Sequence, residues 1–115
     1  MPESTEGLNS QLKLLKAAYA ARLPSIAAQL EQAWSALRAN WNEAACAELH
    51  RVVHSITGSG ATFGYASLSD TARKLEAAIA ESAAAGARAT DDRLGLTDAL
   101  VGELLDAVRA AASQA

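Results

Sequence analysis

Hydrophobic positions recur along this chain at steps of three and four residues, the spacing of one face of an α-helix. The first stripe runs from about Ser10 to Asn40 through Leu12, Leu15, Tyr19, Leu23, Ile26, Leu30, Trp34 and Leu37. Pro24 lies inside it. A proline removes one helical hydrogen bond and crowds the preceding turn. The stripe continues in phase past Pro24, which favours one helix kinked there over two nearly collinear ones. Asn40-Trp41-Asn42 reads as a break. Asn42 is suited to cap a second helix from about Glu43 to Phe63, with Glu43 and Glu48 near its positive end and Gly64 as the residue that stops it. Ser67 or Ser69 is the expected cap of a third helix carrying Leu68, Ala72, Leu75 and Ile79, which fades at Gly86. Thr90 or Asp91 then caps a fourth, with Leu94, Leu100 or Val101, Leu104, Leu105 and Val108 inward. Long helices joined by short breaks pack as antiparallel neighbours. The pattern predicts an all-α antiparallel four-helix bundle, one domain over residues 1–115, with a short extra N-terminal helical segment.

Composition narrows this further. Of 115 residues, 29 are Ala and 15 are Leu, and only five are aromatic. Ala and Leu favour helix, whereas strands draw on the β-branched and aromatic types that are scarce here, so an all-β fold is nearly excluded. Ten basic and thirteen acidic residues leave a net charge of −3 with no basic stripe. Nucleic acid and anionic membrane are therefore poor partners for this surface. A single cysteine, Cys46, suits a reducing compartment. The polar, acidic start from Met1 to Asn9 lacks the features of a signal peptide, and no run of 18 apolar residues spans a membrane. These features predict a cytoplasmic protein.

The candidate chemistry lies between His50 and Gly64, in HRVVHSITGSGATFG. At about 100° per residue, Leu49, Val52, Val53, Ile56, Gly60 and Phe63 share one arc, which faces the core. His54 falls on the opposite side, together with Ala47, Arg51, Gly58 and Ala61. A glycine inside a helix costs about 1 kcal/mol relative to Ala. Gly60 points inward and is suited to close helix packing. Gly58 points outward one turn after His54 and clears space beside it. An imidazole titrates near neutral pH, so an exposed one flanked by cleared space suits a nucleophile that a large partner must reach.

This run resembles the histidine-containing phosphotransfer (HPt) domain of multistep phosphorelays. That family shows His, any residue, an aliphatic residue, usually Lys, then Gly and small residues, with a second Gly six positions after the first. The chain has His54-Ser55-Ile56-Thr57-Gly58-Ser59-Gly60-Ala61-Thr62-Phe63-Gly64. Leu68 and the pair Leu75-Glu76 also match. The resemblance covers essentially the whole chain and implies a phosphoryl carrier. His54 would accept phosphate from the aspartate of a response-regulator receiver domain, through Nε2, and pass it to another receiver. A hybrid sensor histidine kinase would stand upstream. The receiver would bring Mg²⁺, and this chain would need no cofactor of its own. The chain has no P-loop or other ATP-binding motif, so it is not expected to phosphorylate itself from ATP. It is expected to act as a monomer.

One position departs from the family. Where the family usually has Lys, this chain has Thr57. Compensation of the phosphoryl charge then falls to Arg51 on the outer face, to Arg73 or Lys74 from the next helix, or to the hydroxyls of Ser55 and Thr57. Gly58 and Ala61 would give the partner access, and Ala47 and His50 would border the docking face.

Two other readings compete. The same outer face could belong to an adaptor of HPt type that binds without transferring phosphate. Alternatively, His50 and His54, spaced i and i+4, could hold a zinc ion. Cys46 lies about 80° from His54 around the helix, which strains a site built on all three. Gly58-Ser59-Gly60 with Gly64 does not make a dinucleotide fingerprint, since the third glycine is one residue late and no strand precedes it.

Overall fold

A computed structural model describes residues 2–84 and 91–113. It contains four helices, α1 (Pro2–Ala39), α2 (Glu43–Thr62), α3 (Ala66–Ala84) and α4 (Asp91–Ser113), and no strand among the described residues. Each helix packs on its neighbours in a closed ring, α1 on α2 and α4, α3 on α2 and α4. The helices alternate in direction, as expected. Gly60 meets Ser69 while His54 meets Glu76, and Trp34 bonds Asp98 while Glu31 bonds Arg109. The core is filled mainly by Leu23, Leu30, Leu37, Leu49, Val53, Ile56, Leu75, Leu104 and Val108, each essentially sealed from solvent. On α4, Val101 rather than Leu100 takes the inward position.

The second helix begins and ends as its sequence dictates. Asn42 has extended backbone angles, and its side-chain oxygen accepts the N–H of Ala45 at 2.8 Å. At the far end Gly64 has φ +81°, the left-handed region that favours glycine. The N–H of Tyr65 reaches the carbonyl of Gly60 at 2.8 Å, and that of Gly64 the carbonyl of Ala61 at 3.3 Å. These paired bonds form a Schellman stop, which turns the chain sharply into α3.

Four details differ from the sequence pattern. The extra N-terminal segment is not a separate element: α1 is one 38-residue helix that starts at Pro2 and runs through Pro24. Proline is well placed at a first helical position, where its missing N–H needs no partner. The apolar stripe of α1 is covered only from Tyr19 onward. Leu12 and Leu15 are 54% and 53% exposed, because α2 turns back level with Lys16, whose ammonium lies over the Tyr65 ring. Neither Ser67 nor Ser69 caps α3, which begins at Ala66 with the carbonyl of Tyr65 accepting the Ser69 N–H. Ser69 is instead buried, and its hydroxyl donates to the carbonyl of Thr57 at 2.7 Å, tying α3 to α2. Asp91 is the first residue of α4 rather than a flanking cap. Thr90 and Gly86 lie outside the described residues.

Candidate functional site

The site is built on the outer face of α2 where α3 crosses close behind it. Leu49, Val52, Val53, Ile56 and Gly60 are buried, and Phe63 is half-buried against the same core. That fixes the rotation of α2 and leaves His54 on the opposite side, its side chain 70% exposed. A methyl group at Gly58 would meet nothing within 4 Å, so the space beside the imidazole is open. One at Gly60 would stand 3.2 Å from the backbone nitrogen of Ser69. The inward glycine therefore sets how closely α3 approaches, and the outward one keeps the histidine accessible. Ala47, Arg51, Ser55 and Ala61 are exposed on the same side.

The close approach brings Glu76 of α3 to His54. Glu76 Oε1 lies 2.5 Å from Nδ1 of the imidazole. Its other oxygen, Oε2, accepts the hydroxyl of Thr57 at 3.2 Å. The Glu76 side chain is only 20% exposed. Burial acts to raise its pKa, but hydrogen bonds from His54 and Thr57 and the charge of the two imidazoles outweigh that, and the net shift is downward. Glu76 is therefore a carboxylate at neutral pH, able only to accept. Nδ1 of a neutral His54 must then carry the proton, and Nε2 is left with its lone pair, facing away from Glu76 toward solvent.

His50 lies one turn earlier. Its ring is stacked on that of His54, with centroids 6.0 Å apart and planes 11° from parallel, and its Nε2 stands 3.6 Å from the same Glu76 oxygen. His50 thus stands beside the carboxylate while its side chain stays 43% exposed at the edge of the outer face. Thr57 turns inward, its one hydroxyl proton shared between Glu76 Oε2 and the carbonyl of Val53, each at 3.2 Å. Arg51 makes a two-pronged pair with Glu48, at 3.0 and 2.6 Å, which raises the guanidinium pKa and lowers that of the carboxyl. Arg73 pairs with Asp70 at 3.2 Å. Both arginines remain exposed, and neither is engaged with His54.

Among the described residues, no group of three His, Cys, Asp or Glu side chains is placed to hold an ion. Cys46 is buried, and burial pushes its thiol pKa up, away from the reactive thiolate. No described helix is long and apolar enough to cross a membrane.

Glu76 is the participant that reading the residues one by one misses. The signal was present: the buried stripe Leu68, Ala72, Leu75 and Ile79 places a carboxylate at position 76 on the edge of the α3 packing face. What the sequence lacks is the helix register that brings this carboxylate opposite His54.

Comparison with curated proteins and with solved structures finds no match. The family model of the Hpt domain matches residues 14–112, nearly the whole of the bundle described above. Hpt domains are phosphocarrier modules of two-component phosphorelays rather than kinases, and they work with receiver domains and kinases. With the match spanning all four helices and the His54 segment at its centre, the chain belongs to the Hpt domain family.

Proposed function

We propose that this chain carries a phosphoryl group on Nε2 of His54, taking it from the aspartyl phosphate of one receiver domain and delivering it to the aspartate of another. The observation that carries this reading is the bond between His54 Nδ1 and Glu76 at 2.5 Å. A carboxylate in that place favours the proton on Nδ1, which by this reading leaves the Nε2 lone pair as the nucleophile, on a side chain that is 70% exposed.

In the transfer, the Nε2 lone pair forms the N–P bond while the P–O bond to the receiver's aspartate breaks, and its electron pair returns to the carboxylate. The imidazole keeps its Nδ1 proton and gains positive charge as the bond forms. Glu76 faces that developing charge and is already ionised and aligned, so little reorganisation is needed. Delivery is the same step reversed onto another aspartate. Such transfers depend on positioning and charge stabilisation more than on covalent work by the protein. By this reading Mg²⁺ belongs to the receiver. Arg51 is the basic residue that shares the outer face with His54. An exposed ion pair such as the one it makes with Glu48 is weakly held, so turning toward a phosphoryl group costs little.

The adaptor reading shares the docking face but not the chemistry. Incubation with phosphorylated receiver domains separates them. The carrier reading expects phosphate on wild type and none on His54→Gln, with receiver binding retained by both. Binding without transfer by wild type would favour the adaptor.

A further inference from the structure

We infer that Thr57 is a positioning residue, whose hydroxyl locks the Glu76 carboxylate in the orientation that keeps the His54 proton on Nδ1. The inference rests on the carrier reading of His54 for its consequence, but not for its geometry.

A carboxylate at the end of a glutamate side chain turns easily, because its last torsion is broad and nearly two-fold. A bond at one oxygen alone leaves that rotation to the partner. Here both oxygens are held from α2. Oε1 receives His54 Nδ1 at 2.5 Å, and Oε2 receives the Thr57 hydroxyl at 3.2 Å. Thr57 lies three residues after His54, on the next turn and the same flank of α2, so the two grip the carboxylate from adjacent turns. The Thr57 hydroxyl has one proton and two acceptors, Glu76 Oε2 and the Val53 carbonyl, each at 3.2 Å. The carbonyl also belongs to the backbone ladder of the helix, whereas Glu76 has few other donors.

The groups around the carboxylate support the assignment. His50 approaches Oε1, the oxygen already used by His54, at 3.6 Å. It therefore competes with His54 rather than fixing the second oxygen. On α3 itself, Arg73 is turned to Asp70. Among these side chains, Thr57 is the one that holds Oε2. Without it the carboxylate can swing toward His50, and His54 can revert toward the form with its proton on Nε2. That form has no lone pair where the phosphorus must arrive.

The test compares Thr57→Val, which keeps the branched shape and loses the hydroxyl, with Thr57→Ser, which keeps the hydroxyl. Two quantities are read on full-length protein: the rate of phosphoryl uptake from a phosphorylated receiver domain at saturation, and the nitrogen-15 shifts of the His54 ring. Loss of one ordinary hydrogen bond corresponds to roughly a three- to ten-fold slower uptake in Thr57→Val. Receiver affinity should be unchanged, the ring signals should move toward the Nε2–H form, and Thr57→Ser should restore both. A Thr57→Val protein that melts like wild type and keeps the wild-type rate and ring signals overturns the inference while leaving the carrier reading intact. If wild type takes up no phosphate, the carrier reading falls instead, and the ring signals alone still decide whether Thr57 sets the proton position.

Discussion

Gly60 of α2 lies against Ser69 of α3 so closely that an added methyl group would come within 3.2 Å of the Ser69 backbone nitrogen. The obstacle is main chain, which cannot rotate aside. Ser69 is also tied to α2 through its bond to the Thr57 carbonyl. This contact sets the spacing at which Glu76 reaches His54 two turns along. Gly60→Ala gains about 1 kcal/mol from the helix preference for Ala and should lose more than that to overpacking, a net destabilisation of up to about 2 kcal/mol. It should also slow phosphoryl uptake, because α3 must move away from the histidine. Thermal unfolding and the transfer assay check the two effects.

Gly58 is the opposite case, with nothing near its missing side chain. Gly58→Ala should stabilise the protein by about 0.5–1 kcal/mol, since an exposed helix interior prefers Ala. Gly58→Leu should fold equally well and yet transfer roughly ten-fold or more slowly, because the side chain occupies the approach to His54. A melt and a rate on the same preparations separate folding from access.

Glu76→Gln tests the orienting bond. The amide has nearly the shape of the carboxylate but no charge, and it can present a donor to Nδ1. Uptake should fall roughly ten- to a hundred-fold, as when a group that fixes a histidine's proton is neutralised. Receiver binding should be preserved, because Glu76 is largely covered by its neighbours.

Acid should weaken the fold in part through the same group. The pKa of Glu76 is lowered in the folded protein from its ordinary 4.5. A depressed carboxyl contributes stability that is present above its unfolded value and is lost as pH falls through the folded value. Stability should therefore decline below about pH 4.5, and Glu76→Gln should flatten that part of the profile. Denaturant titrations of both proteins between pH 3 and 7 measure it.

The parts of this molecule governed by local rules were legible in the sequence. Asn42 and Gly64 bound α2 because side-chain capping and a left-handed φ depend on neighbours in the chain. The exposure of His54 followed from the helical period alone. Features that depend on register between helices were hidden. Ser69 has the type of an N-cap but becomes a buried cross-link, since the turn at Tyr65 starts α3 earlier. Leu12 and Leu15 continue a core stripe, yet α2 is too short to cover them. Thr57 and His50 read as contacts for phosphate or partner, and that both also face a carboxylate from another helix could not be read from α2 alone.

The central claim is that phosphate resides on one nitrogen of one residue. Phosphorus and nitrogen NMR of the chain, phosphorylated by a receiver domain and kept alkaline, with the modified peptide mapped by mass spectrometry, addresses it directly. The account predicts a single phosphohistidine, at His54, bonded through Nε2 with Nδ1 still protonated. Phosphate at His50, or a bond through Nδ1 of His54, would contradict it.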